Sequence, residues 1–357
     1  MNIGILGLPL TGKTTLFNLL TSQRKQTNSF TARKIKNLGV AKVADDRVDY
    51  LSSIYQPKKT IHATIEVIDI PGISSDIPEK EKQNVFTQIQ NVDALLMTVR
   101  VFHDTLVPGT TDSLSQIESL VYEILLRDLE ITENRINRLN QSKRKLTRQE
   151  EMEKQILEKC YQHLSNDQLL ISRSLTEEDS KLLSGFGLFT LKPIIVVINL
   201  DEDQLRNNQF PNQEKFNHFI KEHQMASIPI CGKLEMEINE LTEEERQDFL
   251  EDLGFQETGI ERLSHVLYRH LGLISFFTVG KDEVRAWTIH EGTTAVKAAG
   301  KIHSDIERGF IRAEVVRFED FKQLESMQKL KEQGLLKVEG KDTVIEDGDI
   351  INFRFNV

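Results

Sequence analysis

Residues Gly7-Leu8-Pro9-Leu10-Thr11-Gly12-Lys13-Thr14 fill the pattern G-x-x-x-x-G-K-[ST]. The motif follows the apolar run Ile3 to Leu6 and precedes Thr15-Leu16-Phe17-Asn18-Leu19-Leu20, so strand, glycine loop and helix start come in the order that a phosphate-binding loop demands. That order constrains the fold. Backbone N–H groups and a helix N-terminus converge on a β-phosphate only in this arrangement. Lys13 is then placed to bridge β- and γ-phosphate oxygens, and the Thr14 hydroxyl to ligate Mg²⁺. The competing reading is a plain strand-turn-helix with an incidental lysine.

At 357 residues the chain is long enough for two or three domains, and 39% apolar residues supply proper cores. Only Cys160 and Cys231 occur, far apart, which argues against a disulfide framework and for a reducing compartment. With neither a basic-flanked apolar leader nor about 18 consecutive apolar residues, the expectation is a cytoplasmic monomer that avoids membranes. A net charge of −10 argues against bulk attraction to nucleic acid, DNA included, and leaves only local basic patches for RNA.

A nucleotide hydrolase needs a metal-side carboxylate at the end of a buried strand. Thr64-Ile65-Glu66-Val67-Ile68-Asp69-Ile70-Pro71-Gly72 supplies one. Asp69 is expected to hold Mg²⁺ through water, and Gly72 to offer its N–H to the γ-phosphate, so that the following loop senses that phosphate. Further strands read at Ala94 to Val99 and Pro193 to Ile198, with helical patterns between. The alternation implies an α/β fold with a mostly parallel sheet that binds ligands at the carboxyl ends of its strands. In Ras-like enzymes a glutamine after D-x-x-G holds the attacking water; here Ile73 stands there, which predicts slow intrinsic turnover.

After the strand Ile194 to Ile198 comes Asn199-Leu200-Asp201-Glu202, where guanine-specific hydrolases carry N-K-x-D. Leu200 replaces the lysine, Glu202 replaces the aspartate, and Asp201 lies one place too early to substitute. A carboxylate one methylene longer cannot take the same bidentate position on guanine, so guanine discrimination weakens and adenine is tolerated or preferred. Gly232, in Ile230-Cys231-Gly232-Lys233-Leu234, suits a loop beneath the base.

Together these motifs resemble the YchF / Obg-like ATPases, of the Obg-related branch of translation-factor-type GTPases. The resemblance runs from the phosphate loop through Asp69-Ile70-Pro71-Gly72 and Asn199-Leu200-Asp201-Glu202 to the terminal Asp347 to Val357. It implies ATP hydrolysis as well as, or better than, GTP hydrolysis. Departures exist. The family usually has asparagine where this chain has Leu10, so no potassium site is inferred. Its first switch reads approximately F-C-T-I-E-P-N-x-G, against Phe30-Thr31-Ala32-Arg33-Lys34-Ile35-Lys36-Asn37-Leu38-Gly39 here. That leaves Thr31 as switch threonine only if the loop shifts. A family histidine after V-R-x-F falls near Pro108, and the nearest histidine is His103.

From Ser113 to about Asn166 the chain reads helical. Leu125, Leu129, Thr132, Ile136 and Leu139, then Met152, Ile156, Cys160 and Leu164, suggest two apolar seams of an antiparallel coiled-coil hairpin. Its turn carries Lys143, Arg144, Lys145 and Arg148, which form either an RNA-phosphate contact or a solvated tip. The carboxyl-terminal stretch resembles the TGS module, a ubiquitin-like β-grasp fold, through Trp287-Thr288-Ile289, Gly300 to Asp305 and Gly309 to Glu314. That resemblance implies a binding module for ribosome or tRNA. From 273 to 357, 13 lysines and arginines face 15 aspartates and glutamates, so any RNA contact there rests on groups such as Lys297, Lys301 and Arg312. His303 either reaches a phosphate or, the reading preferred, caps and packs, and Trp287 is read as core in preference to a stacking platform.

The expected organisation is a nucleotide domain in two parts, 1–112 and 173–274, a helical insertion at 113–172 and a TGS domain at 275–357. The expected function is a ribosome-associated switch that binds and slowly hydrolyses ATP, with GTP weaker or comparable, using Mg²⁺. Its nucleotide site takes in Gly7 to Thr15, Gly72, Asn199, Leu200, Glu202 and Gly232, with Thr14 and Asp69 at the metal. The rivals are a GTP-specific translation or assembly factor, a non-catalytic nucleotide-binding scaffold, and a stress regulator acting through proteins.

Overall fold

A computed structural model describes residues 1–23, 37–74, 77–104 and 109–356. The first-switch residues Phe30 to Lys36, and Pro108, lie outside them. The chain divides into two units, Met1–Ala41 with Glu66–Leu263, and Lys42–Ile65 with Ser264–Val357.

The first unit is built on strands β1 (Asn2–Gly7), β2 (Asn37–Lys42), β4 (Thr64–Asp69), β5 (Ala94–Arg100), β6 (Ile194–Asn199) and β7 (Ala226–Ile230), β3 (Lys59–Ile61) belonging to the other sheet. Their order is β2-β4-β1-β5-β6-β7, and the pairs from β4 to β7 run parallel. β5 and β6 are buried along their whole length. Strands covered on both faces account for continuous apolar runs such as Ile194-Ile195-Val196-Val197-Ile198. Register brings Ile5 opposite Asp69, Gly7 opposite Thr98, and Arg100 opposite Asn199. The carboxyl ends of β1, β4, β5 and β6 therefore form one edge, where parallel sheets take ligands.

Helix α1 (Lys13–Thr21) follows β1 directly; α2 (Asp46–Tyr55) and α3 (Glu79–Ile89) flank β4 in sequence. The expected hairpin forms as α4 (Ser113–Asn140) and α5 (Arg148–Leu164), whose start is fixed by a Thr147–Glu150 capping box. Its seam buries Leu125, Thr132, Leu139, Ile156, Cys160 and Leu164, while Arg135 and Glu153 pair across it at 2.5 Å. The amino-terminal half of α4 is not free coiled coil. Ile117, Leu120, Val121 and Ile124 form a stripe at helical spacing and join the core of β5 and β6, so 113–172 belongs to the first unit.

The second unit holds β8 (Leu273–Val279), β9 (Glu283–His290), β10 (Phe310–Arg317), β11 (Lys337–Glu339) and β12 (Asp349–Phe355) in the order β11-β10-β12-β8-β9-β3. β8 and β9 are antiparallel, and β12 runs parallel to β8 and antiparallel to β10. On one face Ala295, Ala298 and Ala299 of the helix Ala295–Ile302 pack with Phe276, Ile351 and Phe353. Trp287 is half-buried against this core and donates from Nε1 to Thr278 at 3.0 Å. The His303 Nδ1 accepts from the Asp305 N–H at 3.1 Å, as a cap.

Placing all of 1–112 in the nucleotide domain is corrected here. Residues 42–65 belong to the second unit, because β3 pairs in parallel with β9 and α2 buries Val48 and Leu51 there. Arg47 anchors this segment, its guanidinium 2.6 Å from Asp347, 2.9 Å from Asp45 and 5.1 Å from the centre of the Phe277 ring. No helix among the described residues is long and apolar enough to cross a membrane.

Candidate nucleotide site

The loop between β1 and α1 owes its shape to two residues with positive φ, Leu10 at 63° and Gly12 at 95°. Gly12 is obligatory twice over, since a Cβ there would also sit 2.3 Å from the Asn199 amide nitrogen. The Lys13 ammonium is buried and donates to the Leu8 carbonyl at 2.6 Å, bent back over its own loop. Burial lowers its pKa to about 8 against the opposing pull of Asp69. A triphosphate laid on the loop would give that ammonium the anionic partner that one carbonyl only partly replaces.

Asp69 ends β4 opposite α1. Its Oδ2 accepts from the Thr14 hydroxyl and the Asn37 amide, both at 3.1 Å. Its Oδ1 is buried and has no hydrogen-bond partner. Burial raises the Asp69 pKa although Asn37, Lys13 and Thr14 favour the anion. An unpaired buried carboxylate oxygen beside a threonine hydroxyl fits a hydrated hard divalent cation, which takes oxygen ligands and keeps several waters. Sequence reasoning had tied Asn37 only to the switch and not to this carboxylate.

Gly72 meets the loop from the other side: a Cβ there would lie 2.7 Å from Pro9 N, so only glycine lets the backbones touch. The next residue donates from its N–H to the Gly7 carbonyl at 3.1 Å, and its side chain, Ile73, is 1% exposed within the core. Ile73 therefore presents no side-chain group to a water at the γ-phosphate position.

On the base side, Asn199 works as a brace. Its Nδ2 donates to the Thr11 carbonyl and its Oδ1 accepts from the Gly232 N–H, both at 3.0 Å, so one side chain ties the phosphate loop to the β7 turn. Thr15 lies beside Gly232, its methyl 3.6 Å from where a Cβ would stand. The Leu200 side chain turns into the core, 2% exposed, which leaves only its backbone for a base, and its N–H is already given to Ile230 at 2.9 Å. Asp201 is consumed as a helix cap, accepting from Gln204 N–H at 2.9 Å. Glu202 remains partly exposed, with Lys233 3.3 Å away. Glu235, three residues past Gly232, is buried and accepts from the Gly259 and Ile260 N–H groups at 2.8 and 3.3 Å, which fixes the β7 turn from behind. Lys233 and Glu235 carry no motif signal; only a polar residue recurring on the inner side of the helix Gly232–Ile238 marks Glu235.

At the turn of the hairpin, Arg144 pairs with both Glu150 oxygens at 2.9 and 2.6 Å. Lys143, Lys145 and Arg148 are exposed.

Two family models match: one described as a 50S ribosome-binding GTPase over residues 2–135, and the YchF-GTPase_C model, described as a protein of unknown function, over 273–356. The chain is 39% identical to the ribosome-binding ATPase YchF of Bacillus subtilis over the full length of both, and 37% identical to that of Escherichia coli O157:H7 over 99% of each. The solved structure of the Schizosaccharomyces pombe YchF GTPase superposes with a TM-score of 0.85 at 27% identity, covering 99% of this chain and 97% of that one.

Proposed function

The chain belongs to the YchF family, and from that premise we propose that it is a ribosome-associated nucleotide switch that binds and slowly hydrolyses ATP with Mg²⁺, GTP being weaker or comparable. The observation that carries the reading is the Thr14–Asp69 contact at 3.1 Å with Asp69 Oδ1 buried and unpaired beside the lysine of the phosphate loop. Lys13 would neutralise β- and γ-oxygens, the loop Gly7 to Thr15 would cradle the phosphates through its N–H groups, which Pro9 lacks, and Thr14 and Asp69 would hold the metal, Thr14 directly and Asp69 through water. Gly72 would offer its N–H to the γ-phosphate. Asn199 and Gly232 shape the base pocket, with Leu200 and Glu202 at its rim. When bound, Mg²⁺ offsets charge on the phosphate oxygens.

The buried Ile73 supports a low intrinsic rate, because orienting water and offsetting charge are most of what such a site contributes. A partner that completes the site is then required for fast turnover. The relatives are named ribosome-binding, and the exposed Lys143, Lys145 and Arg148, together with the TGS-like unit, are the surfaces assigned to that contact. Residues 1–41 and 66–112 with 173–263 serve as the nucleotide domain, 113–172 as its helical arm.

Co-sedimentation with ribosomes under ATP, ADP and a non-hydrolysable ATP analogue tests the switch. Nucleotide-dependent binding is expected; equal binding under all three overturns it. The same Ile73 observation favours one rival, a non-catalytic scaffold, which is upheld if no turnover appears even with ribosomes present and Lys13→Ala removes only nucleotide-dependent thermal stabilisation.

A further inference from the structure

Asp69 uses its two carboxylate oxygens differently. Oδ2 takes both donors, the Thr14 hydroxyl and the Asn37 amide, each at 3.1 Å, while Oδ1 is buried with no hydrogen-bond partner among the described residues. The torsion that turns a carboxylate about its stem is broad and roughly two-fold, so rotamer preference alone does not decide which oxygen faces which way. Two donors converging on one oxygen decide it here. Of the two, Thr14 is expected to give its oxygen to the metal, leaving only its hydrogen to Asp69. Asn37 has no such second duty, because its Nδ2 is a donor only. It is the first residue of β2, the strand beside β4 in the sheet, so its reach to Asp69 is set by the sheet and not by the phosphate loop.

We infer that Asn37 is a positioning residue of the metal site, which pins Oδ2 of Asp69 so that Oδ1 is left for the water shell of Mg²⁺. The inference rests on the metal reading proposed above and adds to it a residue outside the phosphate-loop and D-x-x-G motifs. A buried carboxylate is costly unless donors meet it, and the charge-assisted bonds from Asn37 and Thr14 offset part of that cost before any cation arrives. Loss of the amide leaves the Thr14 hydroxyl as the one remaining hydrogen bond to that carboxylate among the described residues. Either oxygen can accept from it, so the metal-facing oxygen is no longer singled out.

Calorimetric titration of the full chain with ATP, once in excess Mg²⁺ and once in EDTA, measures the gain in affinity that the metal supplies. Asn37→Leu keeps the shape of the side chain and removes the donor. Its gain from Mg²⁺ is expected to fall about tenfold, or about 1.4 kcal/mol, the scale of one hydrogen bond to a charged group, while its affinity for ATP in EDTA stays within about twofold of the wild type. A bond that merely joins β2 to β4 would lower the unfolding midpoint and leave the gain as it was, so an unchanged gain overturns the inference whatever the change in stability. Should Asn37→Leu fail to fold, Asn37→Ala also removes the donor, adds no bulk, and carries the same expectation. A wild type that binds ATP with no gain from Mg²⁺ overturns the metal reading and this role together; a wild type with the gain, matched by the variants, overturns the role of Asn37 alone.

Discussion

The side-chain amide of Asn199 donates to the main-chain carbonyl of Thr11 at 3.0 Å, across 188 residues of sequence. Because its other end accepts from Gly232, this one side chain satisfies two buried main-chain groups on different loops. Asn199→Ala leaves both unpaired, at about 1–3 kcal/mol for each desolvated group. Equilibrium denaturation of the ligand-free protein is therefore expected to show a loss of roughly 2–6 kcal/mol, with both ATP and GTP weakened alike. A loss confined to one base, with full stability, assigns Asn199 to base reading instead of bracing.

Ile73 offers a test with the opposite intent. Restoring the Ras-like glutamine by Ile73→Gln places an amide in a site that is 1% exposed and lined by apolar side chains. The expected result is destabilisation of roughly 2–4 kcal/mol from burying an unpaired amide and losing packing, and no gain in ribosome-free hydrolysis. A tenfold gain in turnover shows that the segment after Gly72 can swing its side chain toward the γ-phosphate.

Much of the candidate site's geometry was legible because a phosphate-loop motif is local. Gly7 to Thr14 is one strand end, one loop and one helix start, and the role proposed for each residue follows from its spacing. The hairpin was legible for a similar reason: a seam such as Ile156, Cys160 and Leu164 repeats within one helix. Residues 42–65 were not. Asp46 to Tyr55 reads as the same amphipathic helix whichever core receives Val48 and Leu51, and β3 has meaning only through its pairing with Glu283 to Arg285, more than 220 residues on. The burial of the Leu200 side chain was not legible for a related reason, since alignment with a motif fixes its position but not the direction of its side chain. Braces such as Asn199 to Gly232 and Glu235 to Gly259 are contacts between distant turns, with no local period to announce them.

Asp128 makes stability depend on pH. It lies fully buried on α4 and accepts from the Phe189 N–H at 3.0 Å and from the Thr190 N–H and hydroxyl at 2.7 and 2.6 Å, binding the arm to the segment before β6. Burial pushes its pKa up to about 6 despite those bonds and Lys192. A folded pKa above the unfolded one means that the native state holds the proton more tightly. Stability from this group is thus present below about pH 4 and is lost as pH rises through about 6, by up to roughly 3 kcal/mol. Denaturation midpoints across pH 4 to 7 are expected to fall on this account in the wild type and to flatten in Asp128→Asn. Identical pH profiles for the two proteins show that the carboxylate titrates no differently in the fold.

The hairpin tip carries one cation paired within the arm and three exposed ones. Arg144 is committed to Glu150, whose carboxylate also accepts from the Thr147 N–H at 2.9 Å and closes the cap of α5. The remaining three, Lys143, Lys145 and Arg148, are the ones available to phosphates. If they contact ribosomal RNA, each removes condensed counterion, and the slope of log affinity against log salt is expected to shrink by about 0.7–0.9 per residue replaced by alanine. The triple variant K143A/K145A/R148A is expected to lose about two units of slope while keeping its helix content. Arg144→Ala is expected to loosen the cap, lowering helicity near the turn, with a smaller change in slope. Ribosome binding by the triple variant with an unaltered salt dependence moves the contact away from the arm and onto the second unit.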